Sequence, residues 1–379
     1  MVKKPNTIAQ KIGGPDAILL AICLLLIFSG FLILASVSAS FSLQKTGSTF
    51  FYLNHQLLVG LFGFFAAFAL YLLPIGLIKK WSFAALAGTV LLLLAVFLPG
   101  VGGEIGGAQR WLFLGPVSFQ PSELLKLSFV LYLATFLGAR AKASLSKKES
   151  ISLLVLPFLA VCGLIGIILL RQPDMSTLGV ISLTGLSMYF LAGTPLFHTV
   201  AFLAAGGGAA LLFALSSPYR LSRIKVLFDP SLDPLGQGWQ IKQALIGIGS
   251  GGLTGLGLSF QKFGMLPEPM SDSVFAVFAE EMGFLGAVFL IALFLAFAWR
   301  GFTISRRAVD AFSQLAAAGI TLWITLQAFI HMGALTGILP LTGIPLPFIS
   351  YGGSSLVVEL MALGILLNIS RRQTKGKTL

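Results

Sequence analysis

The sequence predicts an all-α polytopic membrane protein of about ten transmembrane helices, with a large extracellular loop between the seventh and eighth. Three observations carry that expectation. Hydrophobic residues make up 56% of the 379 and charged residues only 10%, where a soluble domain carries roughly 25% charge. The mean hydropathy is +0.95. Apolar runs recur at about 20 residues, the length a helix needs to cross about 30 Å of hydrocarbon.

The runs fall at roughly 17–38, 57–74, 82–98, 122–138, 151–170, 176–193, 198–216, 274–298, 311–333 and 350–369. With the N-terminus inside, sixteen of the 25 Lys and Arg lie in cytoplasmic segments: Lys3, Lys4, Lys11, Lys79, Lys80, Arg140, Lys142, Lys147, Lys148, Arg300, Arg306, Arg307, Arg371, Arg372, Lys375 and Lys377. Short basic loops stay inside, so both termini (1–16 and 370–379) are expected in the cytoplasm and the long loop, about 217–273, outside. The whole chain reads as one integral membrane domain, its first run a retained helix and not a signal peptide. The net charge of +12 is then mostly topological and gives no reason to expect a nucleic-acid partner. Cys23 and Cys162 both sit in apolar runs and read as core residues, not as a disulfide or metal site.

In chain order, His55 next to Asn54 reads as a solvated boundary residue. The stretch Pro99–Trp111 holds five glycines and then Arg110-Trp111. It reads either as a loop anchored by an interfacial Trp or as a phosphate grip, because a guanidinium fork matches phosphate oxygens. Gln120-Pro121-Ser122-Glu123 opens the fourth helix, with Pro tolerated at a helix start. Glu123 and Lys126, three apart on one face, make either a structural pair or part of a polar cavity. Arg171-Gln172-Pro173-Asp174 ends the fifth run, where a local Arg171–Asp174 pair is the simplest expectation. His198 reads as inert.

Chemistry concentrates in the polar passage Ser217–Glu281, the longest in the chain. It opens with Tyr219, Arg220 and Arg223 and turns at Asp229-Pro230 and Asp233-Pro234. Trp239–Ile246, with Lys242, has a short amphipathic helical pattern suited to lying along the membrane surface. The glycines from 247 to 257 lack the strand–turn–helix setting of a nucleotide fingerprint and suit a re-entrant or tightly packed segment. Leu266-Pro267-Glu268-Pro269 stiffens the approach to Ser271 and Asp272, either of which could cap the next helix. Glu280 and Glu281 lie about 12–14 Å deeper along that helix and need partners, Lys126 being one candidate. Ionisable groups at membrane depth are functional hypotheses by default.

The last turn, 335–355, holds three prolines and several glycines yet stays apolar, a backbone tolerated at membrane depth only inside protein or lining a cavity. Ser350, Tyr351, Ser354 and Ser355 offer hydroxyls to sugar or phosphate, and Glu359 is a further buried carboxyl. His331, just before the turn, reads as a packing residue.

Taken together, Gly107–Trp111, Gln120–Lys126, Gln172–Asp174, Tyr219–Arg223, Asp229–Gln243, Leu266–Glu281 and Gly343–Ser355 resemble the SEDS family (shape, elongation, division and sporulation; the FtsW, RodA and SpoVE proteins). The spacing from Gly257 to Leu266 and the ending Asn368–Arg372 look more like the division (FtsW) or sporulation branch than the elongation (RodA) branch. The resemblance implies a bacterial cell-membrane peptidoglycan glycosyltransferase that polymerises lipid II. It maps the family's Leu-Pro-Glu-x-x-[Thr]-Asp carboxylate onto Asp272 as general base. A His-Thr-Asp-Phe-Ile-Phe run common in the family is replaced by Met270-Ser271-Asp272-Ser273-Val274-Phe275.

Arg110, Lys126, Arg220, Arg223, Lys242, Glu268, Ser271, Ser354 and Ser355 are the expected substrate-binding residues, supported by Glu123, Asp174, Glu280 and Glu281. Fixed cations, or a divalent Mg or Mn ion, would stabilise the leaving pyrophosphate; no cofactor is otherwise indicated. A class B penicillin-binding protein, with other divisome or elongasome membrane proteins, is the implied partner. Two other functions suit the same pattern: a lipid II flippase, since broken helices with buried carboxylates occur in transporters, and a non-catalytic scaffold for the transpeptidase.

Overall fold

The computed structural model describes residues 13–105, 108–115, 117–140, 151–215, 218–234, 236–258 and 266–372. Lys3, Lys4, Lys11, Lys142, Lys147, Lys148, Lys262, Lys375 and Lys377 therefore lie outside the described residues. So do the side chains of Arg220 and Arg223.

Each predicted run coincides with one helix: α1 (Ala17–Thr46), α2 (Phe51–Leu72), α3 (Ile75–Ala95), α4 (Pro121–Arg140), α5 (Leu156–Arg171), α6 (Met175–Leu191), α7 (Leu196–Leu215), α10 (Val274–Arg307), α11 (Ala311–Leu335) and α12 (Gly353–Ser370). Among the described residues eight helices are long and apolar enough to cross a membrane, and Met175–Leu191 and Leu196–Ala209 are shorter apolar helices. The chain is a multi-pass membrane protein. Helices α4, α11 and α12 form its centre, with 72%, 72% and 78% of their most apolar windows buried, so they meet other helices rather than lipid. Asp16, Asp174 and Asp310 cap α1, α6 and α11 by accepting from the backbone N–H three residues on.

Two features depart from the sequence expectations. After α3 the chain forms a three-stranded antiparallel sheet, β1 (Gly102–Ile105), β2 (Ala108–Leu114) and β3 (Val117–Phe119), in the order β1-β2-β3. Gly103 pairs with Trp111 and Leu112 with Phe119; Leu112 points inward while Phe113 faces out. The passage before α10 holds α8 (Pro218–Phe228) and α9 (Gln237–Ser250); α9 contains the helix expected at Trp239–Ile246, and its setting is what differs. The apolar face of α9, including Ile241, Ala244 and Gly247, is buried against α10 and not laid on a lipid surface.

The glycines that follow α9 serve a break in α10. Gly283 has φ 68° and ψ −169°, which interrupts the helical hydrogen bonds at membrane depth. The turn backbone of 252–257 supplies the missing partners: Leu256 and Gly257 donate to the carbonyls of Glu280 and Glu281, and Phe284 and Leu285 donate to those of Gly252 and Leu253. Unpaired backbone in hydrocarbon costs several kcal/mol per group, so the tightly packed segment and the broken helix require each other.

At the end of the bundle where α1 begins and α12 ends, Arg300 donates to both oxygens of Asp16, at 2.7 Å from Nη2 to Oδ2, and Asp16 N–H donates to Ser370 Oγ. One ion pair and one hydrogen bond at Asp16 thus tie α1, α10 and α12 together.

Candidate active site

The opposite end of the bundle gathers β2, the α5–α6 turn, α9, the turn before α10 and the strap 336–352. They enclose a cavity of about 330 Å³ lined by Arg110, Ser176, Gln237, Gln240, Asp272 and His331, with Leu335, Leu341, Thr342 and Gly343.

Asp272 stands in a turn that its own neighbours brace. Ser271 and Ser273 N–H both donate to Glu268 O, Ser273 Oγ donates to Pro267 O at 2.7 Å, and Gln240 Nε2 reaches Ser273 Oγ. From the other side Ser350 Oγ donates to Ser271 O, and Tyr351 N–H to Met270 O. The cap position of α10 is Ser273, with no side-chain cap bond. Asp272 is therefore not consumed as a helix cap, and among the described residues its carboxylate accepts no hydrogen bond. Burial pushes the Asp272 carboxyl up to about 6; the Glu268 charge adds to the rise and the Arg110 guanidinium opposes it.

Arg110 faces the same cavity from β2. Its Nε donates to Gln172 O at 3.0 Å and Nη2 to Pro173 O, while Nη1 stands 4.0 Å from Asp174 Oδ1. The partner of Asp174 is thus Arg110 and not Arg171, which is exposed. The two carbonyls aim the guanidinium, and Asp174 both caps α6 and faces the charge.

The strap is held along its length by buried side chains. Ser176 Oγ donates to Thr342 O, His331 Nδ1 lies 2.7 Å from Ile344 O, and Gln327 Nε2 donates to Pro345 O at 2.9 Å. Phe348 N–H donates to Glu359 Oε2 at 2.7 Å. Gln327 Oε1 accepts in turn from Lys126 Nζ and Trp323 Nε1, and Lys126 pairs with Glu123 at 2.8 Å.

Among the expected residues, Asp272 and Arg110 come together at the cavity, with Glu268 and Asp174 beside them. Lys126 does not: it is 2% exposed and committed to Glu123 and Gln327, so the pair is structural support for the strap. Nor is it the partner of Glu280 and Glu281; Glu281 Oε1 accepts from Ser36 Oγ, and Glu280 lies beside Gly247. Ser271 donates to Glu268 Oε2. Ser354 accepts from Gln120 N–H and Ser355 donates to Gly352 O, so both brace the start of α12 away from the cavity. Lys242 is exposed on α9 and lines no part of it. The sequence reading missed Gln237, Gln240 and His331 as cavity residues, because a polar residue on an amphipathic helix carries no signal of which wall it will face.

The fold and this cavity define a polytopic membrane protein with a carboxylate and a guanidinium facing one chamber at a bundle end. A family model described as Cell cycle protein, covering the FtsW, RodA and SpoVE proteins, matches residues 16–375, and the chain belongs to that family. It is 39% identical to Stage V sporulation protein E of Bacillus subtilis (strain 168) over 360 residues, 94% of this chain and 97% of that protein. It is 38% identical to the probable peptidoglycan glycosyltransferase FtsW of Nitrosococcus halophilus (strain Nc4), over 95% of this chain and 94% of the relative. Among solved structures it resembles a chain from work on the structural coordination of polymerization and crosslinking by a peptidoglycan synthase complex, with TM-score 0.78, 30% identity, and 96% and 99% coverage of the two chains. The rod shape determining protein RodA of Thermus thermophilus gives TM-score 0.69 and 29% identity, over 98% of this chain and 100% of that one.

Proposed function

We propose that the chain is a peptidoglycan glycosyltransferase that polymerises lipid II, with Asp272 as the general base. The acceptor's GlcNAc 4-hydroxyl attacks C1 of the donor's MurNAc, the bond from C1 to the pyrophosphate oxygen breaks, and undecaprenyl pyrophosphate leaves. The hydroxyl proton passes to Asp272. A positioned carboxylate contributes roughly 10²–10⁴-fold to such a step, most effectively when its pKa lies near the working pH. The observation that carries the reading is a carboxylate raised to about 6, free of protein hydrogen bonds among the described residues, in a chamber shared with Arg110. Arg110, aimed by two carbonyls, faces the charge that develops on the leaving pyrophosphate.

Among the described residues no cluster of three or more His, Cys, Asp or Glu side chains is placed to hold a metal ion.

We further infer that the cavity end is extracytoplasmic and both termini cytoplasmic, in the bacterial cell membrane. The excess of Lys and Arg in the short segments on that side of the sequence, among them Lys79, Lys80, Arg306, Arg307, Arg371 and Arg372, supports this. A class B penicillin-binding protein is the proposed partner, since the structurally similar complex is described as joining polymerization to crosslinking.

Purified full-length protein, with and without that partner, is given labelled lipid II in detergent and in liposomes. Polymer formation supports the transferase. Scrambling of lipid II across the bilayer without polymer points to the flippase, and neither activity points to the scaffold.

A further inference from the structure

We propose that His331 is a substrate-binding residue of this cavity, its Nε2 accepting a hydrogen bond from a sugar hydroxyl; this rests on the glycosyltransferase reading above. The ring is 2% exposed and forms part of the wall that also holds Asp272 and Arg110. Its Nδ1 lies 2.7 Å from Ile344 O. A carbonyl only accepts, so Nδ1 carries the proton and Nε2 of the neutral ring is left with a lone pair. That nitrogen is buried and has no hydrogen-bond partner among the described residues. Buried polar atoms are nearly always satisfied, by protein, water or ligand, and no donor among the described residues reaches this one.

The chemistry of the missing partner follows from the atom. A lone pair repels phosphate oxygens and seeks an O–H. The substrate's phosphates belong to Arg110, and the attacking hydroxyl gives its proton to Asp272. His331 is thus left to orient a sugar by another of its hydroxyls. Such a bond, made equally in the ground and transition states, shows in KM and not in kcat.

The sequence has three histidines, which makes the ring directly observable. Full-length protein labelled with ¹⁵N in histidine and carrying Asp272→Asn is titrated with lipid II, the His331 signals being assigned from the same protein with His331→Asn. Saturation is expected to move the His331 Nε2 resonance to that of a hydrogen-bonded acceptor. In the Asp272 protein, His331→Asn keeps an amide N–H in reach of Ile344 O but removes the outer nitrogen. It is expected to raise KM for lipid II roughly 2- to 10-fold, the worth of one neutral hydrogen bond, with kcat and melting temperature unchanged. A stationary Nε2 resonance at saturating lipid II, or an unaltered KM, overturns the proposal, as does a loss confined to kcat. Undiminished polymerisation by Asp272→Asn overturns the base assignment instead, and the KM comparison stands independently of it.

Discussion

Gly343 faces Asp272 across the cavity wall: a Cβ built on Gly343 would lie 3.2 Å from Oδ2 of the carboxylate. The glycine also has φ +61°, in the region L-residues avoid. The strap therefore presents bare backbone where the carboxylate needs room. Gly343→Ala is expected to cost about 1–2 kcal/mol of stability for the left-handed conformation and to push Asp272 out of line. Polymerisation should fall further than the loss of folded protein explains. Activity normalised to the folded fraction measures the difference; full normalised activity would show that the strap does not shape the site.

The raised carboxyl sets a pH dependence. A base acts only when ionised, so polymerisation is expected to rise with pH through about 6 and level off above it. The Arg110 charge holds the carboxyl down, so Arg110→Gln should move the midpoint of the profile upward as well as lowering the rate. A profile whose midpoint stays put in Arg110→Gln would separate the two residues.

Stability should run the other way. The folded pKa of Asp272 lies above the unfolded value of 3.8, so its contribution is fully present below that value and is lost as pH rises through about 6. Asp272→Asn escapes this loss. The variant is expected to melt higher than the parent above pH about 6 and to show less advantage at acid pH, which thermal unfolding in detergent at two pH values reads.

The buried pair beneath the strap should respond asymmetrically. Lys126→Met leaves the Glu123 carboxylate buried without its cation, at a cost of about 3–5 kcal/mol. Adding Glu123→Gln removes the stranded charge and should recover much of the stability. Melting temperatures of the single and double variants decide this; equal losses would mean that the pair is not coupled as its 2.8 Å separation implies.

How much of this was legible in the sequence follows from which signals are local. Eight of the apolar runs fall on helices long and apolar enough to cross a membrane among the described residues, because hydropathy over about 20 residues is a property of each segment alone. The turn that carries Asp272 was legible because Pro267, Glu268 and Pro269 announce a rigid turn before an apolar run, while the role given to its carboxylate came from the family resemblance. The sheet after α3 was not legible, since its glycines read as loop and its register depends on partners across a turn. The Arg110–Asp174 contact joins residues on separate elements, and the nearer Arg171 masked it. His331 looked like packing because one imidazole on an apolar helix has the same sequence signature whether its second nitrogen meets protein or substrate. Lys126, Ser354 and Ser355 offered groups suited to phosphate or sugar, and only the tertiary fold turns them onto Gln327, Gln120 and Gly352.

The central claim is that Asp272 takes the proton from the attacking sugar hydroxyl. Its most direct measurement is the initial rate of lipid II polymerisation by the purified chain carrying Asp272→Asn, at a pH above 7 and with substrate binding and melting temperature recorded alongside. The expected result is a fall of roughly 10²–10⁴-fold with lipid II still bound and the fold intact. A rate indistinguishable from that of the unchanged chain would contradict it.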